Sequence, residues 1–436
     1  MAAPALTRRA LFVRAVPIMG ANIATPLVGL ADLAVIGNTG DATAIAAIAL
    51  GTLVFNAFYW SLGFLRMGAT ALAAQADGGG TPGETAAVLW RGLAVGAGLG
   101  LVLIIAQVPM REAAFMAFSG TEAVEAAGKA YVDARIWGAP AALAGFALYG
   151  WLIGLGLTGR ALALQIALNL VNIALSLWFV LGLGHGVAGV GAASALAQWI
   201  HLITAAVLIA PALLKRRWPS RAQVLDRAAL VRLFAVNRDI FLRTLALLAG
   251  FYWFNEASLR LGPEVLAGNA ILLQFISISA FFLDAFAHVA EAETGRAAGA
   301  SDWNALTRAF RLTSELAAGC ALMLGAVFLI GGQVFIQAMT DDPAARAAAL
   351  DALIWCALVP VVGWPSWQLD GLMIGTTRGA LMRNAMLAAL LIYLALDFVL
   401  RPILGVTGLW LAFLLYYVAR AGTLAVGWAG LKRDYA

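Results

Sequence analysis

Charged residues are scarce in this sequence. Of its 436 residues only 12% are Asp, Glu, Lys or Arg, whereas 63% are hydrophobic, and the mean hydropathy is +0.89. A soluble domain of ordinary composition carries roughly 25% charged residues. The composition therefore excludes a soluble protein and indicates a chain that crosses a membrane many times.

Residues and motifs that carry covalent chemistry are scarce as well. The two cysteines, Cys320 and Cys356, lie in apolar segments and exclude a disulfide scaffold. The glycines at 78–80 lack the lysine and hydroxyl residue of a phosphate loop, and no span carries paired aspartates or a His/Glu metal motif. We therefore expect neither an enzyme nor an ATP-driven pump, no cofactor, and no nucleic-acid partner. An ion gradient remains as the energy source.

Long apolar segments dominate what is present. Segments longer than about 18 residues, separated by polar or Gly/Pro breaks, are typical of membrane-spanning helices. We predict an all-α polytopic membrane protein with twelve spans, at residues 11–37, 44–74, 87–108, 125–156, 160–183, 188–212, 236–260, 265–294, 306–331, 347–376, 379–401 and 406–430.

The basic residues orient these spans. Nineteen lysines and arginines fall on the side that includes the N-terminus and six on the other. Because basic loops stay in the cytoplasm, we expect both termini on the cytoplasmic side of a bacterial inner membrane. Three further arginines, Arg66, Arg243 and Arg420, lie within spans, and we expect them to snorkel to the interface.

The sequence also repeats itself. Residues 148–191 resemble residues 369–410, at an offset of half the chain. The repeat predicts two six-helix lobes, 1–212 and 236–436, joined by a basic cytoplasmic linker at 213–235. Because six spans return the chain to the same side, a pseudo-two-fold axis along the membrane normal should relate the lobes.

Asp32 is the strongest functional candidate. It lies well into the first span with no basic residue three or four positions away, and a charged residue there is costly unless it has a function. The alternative is a carboxylate near the outer interface that faces water. Pro17 and Pro26 lie in the same span, where each removes a helical hydrogen bond and permits a bend.

Polar residues on the fifth and sixth spans form a second candidate group. Their spacing of four, three and four places the members on the fifth span on one helical face, pointing away from lipid. Such oxygens beside a carboxylate can hold a proton or a small cation, although hydrogen bonding between helices is the alternative. The group comprises Gln165, Asn169, Asn172 and Ser176 on the fifth span and Ser194 on the sixth.

The second half carries its own polar residues. Asp284, His288 and Glu291 share a face of the eighth span and can act as a proton relay, or simply meet cytoplasmic water. We expect Asp284 and His288, like Gln165 and Asn169, to line a cavity. Asp397 and Arg401 should form a structural pair.

Four segments together resemble the multidrug and toxic compound extrusion (MATE) family, in its DinF-like branch. They cover PIMGANIATPLVGLADLAVIG, LGFLRMGATALAAQADG, NRDIFLRTL and FLDAFAHVAEAETGRAAG. The resemblance implies twelve helices in two lobes and the export of amphiphilic, often cationic compounds in exchange for protons or sodium ions. It also implies that Asp32 is the coupling carboxylate, that the first helix bends at Pro17, and that Asn172, Ser176 and Ser194 complete a cation site. Many relatives carry Asp at the position of Ser176, so this chain has one charge fewer.

The favoured function is therefore a monomeric secondary antiporter for small organic molecules. With one carboxylate in the cluster we favour the proton as the coupling ion, and sodium at Asp32, Asn172, Ser176 and Ser194 is the alternative. A lipid-linked precursor flippase of the wider superfamily and a non-transporting receptor or scaffold are the other hypotheses.

Overall fold

The computed structural model describes residues 6–38, 41–116, 121–214 and 218–436, and every regular element in these ranges is helical. The all-α membrane class is confirmed. Contacts divide the chain into two compact units: Gly20–Leu233, and Met1–Met19 with Phe234–Ala436. The division falls inside the first helix, two residues after Pro17, whereas the sequence analysis placed the whole of that helix in one lobe.

The unit Gly20–Leu233 contains most of α1 and all of α2 to α10. Its core brings α4 against α7, α3 against α7, α6 against α9 and α8 against α9. A 3-10 turn at Ile136–Gly138 joins α6 to α7, and a π-helical turn at Trp178–Gly182 follows α8. The helices are α1 (Arg8–Gly37), α2 (Ala42–Ser61), α3 (Phe64–Gly78), α4 (Pro82–Ile105), α5 (Gln107–Met116), α6 (Glu122–Arg135), α7 (Ala139–Gly154), α8 (Thr158–Leu177), α9 (Gly186–Leu214) and α10 (Arg221–Val224).

The other unit contains the start of α1, α11 from Phe234 onward, and all of α12 to α17. Its core pairs α12 with α14 and α15 with α16, around a buried aromatic group that includes Phe254, Tyr393, Trp410 and Phe413. The helices are α11 (Arg227–Leu259), α12 (Pro263–Gly299), α13 (Trp303–Met339), α14 (Pro343–Gly375), α15 (Gly379–Leu404), α16 (Val406–Ala425) and α17 (Trp428–Tyr435).

Eleven of the twelve predicted spans coincide with segments that are long and apolar enough to cross a membrane. The seventh predicted span, 236–260, corresponds to α11. Because of its polar residues, α11 is not among the segments that are apolar enough to cross a membrane. Two predicted spans are broken: the second at Leu62 and Gly63, between α2 and α3, and the fourth at the 3-10 turn. Gly63 lies at the first break, and the 3-10 turn ends at Gly138, just before Pro140 in the first turn of α7.

The linker is shorter and more helical than expected. α11 begins at Arg227, nine residues before the predicted span, and α10 lies just ahead of it. Buried Arg91 of α4 fixes α10, since it donates to the carbonyls of Gln223 and Val224 and pairs with Glu84 at 2.5 Å. These contacts attach this part of the connection to the unit that precedes it.

The internal repeat is visible in helix packing. Added Cβ atoms at Gly150 and Gly154 of α7 would collide with the carbonyls of Arg66 and Thr70 on α3. Added Cβ atoms at Gly371 and Gly375 of α14 would likewise collide with the carbonyls of Ala287 and Glu291 on α12. All four residues of the second crossing lie 221 positions after their counterparts. The same glycine-mediated helix contact is therefore built twice, once in each unit.

The snorkelling expected for two arginines is wrong. Arg243 and Arg420 are 7% and 3% exposed, and both donate to Oδ2 of buried Asp370, Arg420 at 2.8 Å. Each guanidinium finds a counter-charge in this buried carboxylate, so neither side chain has to reach the interface, although the Nε of each has no hydrogen-bond partner among the described residues. The structural pair at the end of α15 is confirmed, with 3.1 Å between Arg401 Nε and Asp397 Oδ2.

Candidate functional site

Asp32 lies in the last third of α1 and is 2% exposed. Its Oδ1 accepts a hydrogen bond from the hydroxyl of Ser176, which is fully buried, at 3.0 Å. Ser176 is near the end of α8, just before the π-helical turn, and such turns often mark functional sites. The structure therefore brings together the carboxylate and a hydroxyl that the sequence places 144 residues apart.

Asn172 and Ser194 extend this cluster from α8 to α9. Asn172 lies one turn before Ser176 and donates through Nδ2 to Ser194 Oγ at 3.0 Å. Both serine hydroxyls lie close enough to the Asp32 carboxylate to interact with it. The side-chain oxygen of Asn172 is buried and has no hydrogen-bond partner among the described residues. The cluster therefore presents a carboxylate, two hydroxyls and one unused amide oxygen.

The first half of the polar stripe holds α1 against α8. Asn169 is 8% exposed and donates to the carbonyl of Ala24 at 2.7 Å, while its own oxygen accepts from Gln165 at 3.0 Å. These bonds indicate that Asn169 joins two helices. Hydrogen bonding between helices is the alternative to ion binding that the sequence left open for this group. Gln165 is half-buried at the edge of the stripe.

Arg135 is a component that the sequence analysis missed. It ends α6, and its guanidinium lies near enough to Asp32 for the two charges to interact. The side chain is held in place from two sides, because it donates to the hydroxyl of Tyr131 and stacks over Phe55 with 4.8 Å to the ring centroid. From the sequence, Arg135 lies inside the predicted fourth span, 125–156, and was counted only among the six basic residues on the outer side. The signal in the sequence was Tyr131, an aromatic residue one turn before Arg135 on the same helix.

The first helix continues through both of its prolines. α1 is helical from Arg8 to Gly37, with Pro17 and Pro26 inside it. Each proline leaves the carbonyl four residues earlier without its usual helical partner. Pro17 stands two residues before the point where α1 passes from one unit to the other.

The polar residues predicted on the eighth span lie on α12, in the other unit. Asp284 and His288 are half-buried, and Glu291 is fully buried. Glu293 is paired with Arg14 of α1 and, at 2.8 Å, with Arg296. This ion pairing at Glu293 favours a structural role for the end of α12 over exposure to water.

The charges around Asp32 bear on which ions the cluster can hold. In the ranges that the structure describes, no three His, Cys, Asp or Glu side chains are arranged to hold a metal ion. Asp32 is the single carboxylate of the cluster, and the fixed charge of Arg135 lies near it. A proton needs only that carboxylate, whereas a hard cation needs several oxygens around it and prefers more negative charge.

Comparison with known proteins agrees with this architecture. The sequence model of the family described as MatE matches residues 17–178 and 244–399. The chain is 34% identical to DNA damage-inducible protein F of Escherichia coli (strain K12) over 422 residues, which is 96% of this chain and 92% of that protein.

Two solved structures share the fold. One is described as a MOP superfamily transporter from Pyrococcus furiosus, with a TM-score of 0.88, 17% identity and coverage of 98% of this chain and 96% of that one. The other is an outward-facing multidrug resistance MATE family transporter, with a TM-score of 0.86, 18% identity and coverage of 98% and 97%. With the family model matched over both halves, this chain belongs to the MatE family of membrane transporters.

Proposed function

We propose that this protein is a secondary antiporter that exports amphiphilic, often cationic organic compounds from a bacterium and takes up protons in exchange. The observation that carries the proposal is the buried Asp32 carboxylate, bonded to Ser176 inside a membrane helix. An ionisable group at that depth marks a transport or relay site far more often than a packing site. Relatives named as multidrug resistance proteins, such as one from Acinetobacter baylyi at 24% identity over 83% of this chain and 81% of that protein, support the choice of cargo.

The proton is the favoured coupling ion because of the charge around Asp32. Among the described residues, Arg135 is the one basic side chain near enough to Asp32 for the two charges to interact. No second carboxylate of the described ranges lies in the cluster with Asp32. Sodium would bind between one negative and one positive side chain, with Asn172 Oδ1 as the one unused amide oxygen. Protonation of Asp32 requires no such shell.

Alternating access needs a moving part, and α1 is the proposed one. Protonation of Asp32 removes the negative charge that Ser176 and Arg135 face, and it weakens the hold of α8 on this end of α1. Pro17 lies next to the point where α1 leaves the unit that contains Asp32. A bend at Pro17 would therefore transmit the change at Asp32 along the helix. The repeated glycine crossing supports two lobes related by a pseudo-two-fold axis along the membrane normal. We place both termini in the cytoplasm.

Proteoliposomes with separately imposed gradients test this proposal. Efflux of a fluorescent lipophilic cation should follow an imposed proton gradient, should persist when sodium is replaced by choline, and should collapse with a protonophore. Asp32→Asn keeps the shape of the side chain and should abolish coupled export, while Asp341→Asn, at an exposed carboxylate, should not. Wild-type efflux by Asp32→Asn would reject Asp32 as the coupling site. Strict sodium dependence, with severe loss in Asn172→Ala, would show that the coupling ion is sodium.

A lipid-linked precursor flippase is the second candidate. The observation in its favour is the pair of buried arginines, Arg243 and Arg420, which outnumber their shared carboxylate Asp370. Translocation of a lipid-linked pyrophosphate in the same liposomes, without efflux of the organic cation, would support it. The acidic and neutral cluster at Asp32 favours the antiporter.

A further inference from the structure

Four arginines surround a cavity that has no part in the site at Asp32. The cavity has a volume of about 700 Å³ and lies between the start of α1 and the first turns of α13. All four guanidinium side chains are exposed. The residues that line it include Thr7, Arg8, Arg9, Asn304, Arg308 and Arg311.

The charges at this cavity are only partly balanced. Glu315 accepts from Arg8 Nε at 2.7 Å and lies 3.9 Å from Arg311. Neither Arg9 nor Arg308 has an acidic partner in the part of the chain that the structure describes. Arginine presents several N–H donors in a planar fork that fits phosphate oxygens. The cavity is therefore suited to an anion, and a phosphate group fits both its charge and its donors.

Apolar surface next to the arginines identifies the source of that phosphate. Phe12 and Val13 follow Arg8 and Arg9 by four residues, so they continue the same faces of α1, and they are 47% and 59% exposed. A free phosphate or nucleotide has no use for such a surface, whereas the acyl chains of a lipid cover it.

An aromatic group places this cavity near the membrane interface. Trp303, at the start of α13, packs against Trp428 with 5.5 Å between ring centroids, and Phe310 contacts Trp428 at the same distance. Tryptophan prefers the level of the lipid headgroups. The arginines also belong to the side of the protein that carries most of the basic residues, which the charge bias assigns to the cytoplasm.

We propose that the four-arginine cavity binds the phosphate of an anionic membrane lipid, with the acyl chains lying along the exposed apolar face of α1. Arg9 and Arg308 are the main ligands, since their charges are not already neutralised. The glycerol headgroup of phosphatidylglycerol satisfies the polar lining from Thr7 and Asn304. This proposal requires the membrane location of the protein but no transport activity.

Lipid titration of the purified, delipidated full chain tests the proposal. Native mass spectrometry would measure the binding of phosphatidylglycerol and of phosphatidylcholine with the same acyl chains. We expect Arg9→Gln/Arg308→Gln to weaken phosphatidylglycerol binding by about tenfold and to leave phosphatidylcholine binding unchanged. Arg9→Lys/Arg308→Lys keeps the charge and should retain most of the binding. A matched control, Arg160→Gln/Arg227→Gln, removes two exposed arginines elsewhere and should bind as the wild type does.

Each other outcome would overturn the proposal. Equal binding of the two lipids by the wild type would show that no anionic headgroup is recognised. Equal losses in both glutamine variants would show general charge attraction without a site. Displacement by inorganic phosphate or glycerol 3-phosphate as readily as by lipid would identify the ligand as a free phosphate. Wild-type size-exclusion profiles and thermal unfolding of the variants would establish that all of them are folded.

Discussion

Replacement of Asp370 by Asn should destabilise the protein strongly. Arg243 and Arg420 both donate to Oδ2 of this carboxylate, and all three side chains are at least nine-tenths buried. The substitution keeps the shape of Asp370 and leaves two buried guanidinium groups without a counter-charge. Removing one partner of a buried ion pair costs about 3–5 kcal/mol. We expect a loss of that size in the free energy of unfolding.

Asp239 provides a matched control for this effect. It also contacts two arginines, Arg383 at 2.8 Å and Arg238 at 3.1 Å, but the side chain of Arg238 is 64% exposed and that of Arg383 is 25% exposed. Water replaces much of the lost interaction there, so Asp239→Asn should cost about 1 kcal/mol. Reversible unfolding in mixed detergent micelles measures both variants against the wild type.

The double variant Asp370→Asn/Arg420→Met separates charge from packing. Once the carboxylate is gone, Arg420 only adds repulsion to Arg243, so its removal should cost less than it does in the wild type. Additive losses would show that the three side chains are not coupled. Equal losses in Asp370→Asn and Asp239→Asn would refute the assignment of the cost to buried charge.

Three further predictions concern the site, the topology and the repeat. Ser176→Ala removes one hydrogen bond to Asp32 and should slow proton-driven efflux by less than about tenfold, whereas a larger loss would indicate that the hydroxyl binds the coupling ion. Ser220→Cys, in a background without Cys320 and Cys356, should resist an impermeant external reagent in intact cells, and its labelling would reverse the proposed orientation. Gly371→Ala collides with the α12 backbone and should destabilise by about 1–3 kcal/mol. Gly319→Ala enters open space and should stabilise by up to about 1 kcal/mol, so the same sign for both would contradict the packing argument.

The fold class followed from composition because lipid permits few backbone structures. A buried chain with so little charge must satisfy its backbone internally, and helices do so within one segment. The breaks at Gly63 and at 136–138 were not predictable from hydropathy, since an apolar run looks the same whether it is straight or interrupted. Asp32 and Ser176 were found because each is polar in an apolar helix, which is a local signal.

The missed charges share one cause. Arg135, Arg243 and Arg420 were judged from their position along the chain, which indicates the distance to the interface but not the partner. Asp370 lies 127 residues from Arg243 and 50 from Arg420, so their pairing is a tertiary fact that no local pattern encodes. A charged residue in a span is therefore better treated as evidence for a partner elsewhere in the chain than as a candidate for snorkelling.

The repeat relates the contact at Asp32 to a corresponding contact in the other unit. Trp253 and Asp397 lie 221 positions after Asp32 and Ser176, and they too are joined by a hydrogen bond, from Trp253 Nε1 to Asp397 Oδ2 at 2.9 Å. The contact between α1 and α8 in one unit thus corresponds to the contact between α11 and α15 in the other. In the first contact the carboxylate is on the earlier helix, α1, and in the second it is on the later helix, α15.

Asp397 is also hydrogen-bonded to a cationic side chain, whereas Asp32 is hydrogen-bonded to a serine. Arg401 follows it by one turn and binds both of its oxygens, at 3.1 and 3.2 Å. The Asp397 carboxylate is therefore held by a guanidinium and an indole N–H together. Asp32 is bonded to a neutral serine, and its cationic neighbour Arg135 is held by Tyr131 and Phe55 instead. The repeat therefore contains two equivalent helix contacts, and we propose that the difference in their partners is what suits the one in the first half to proton exchange.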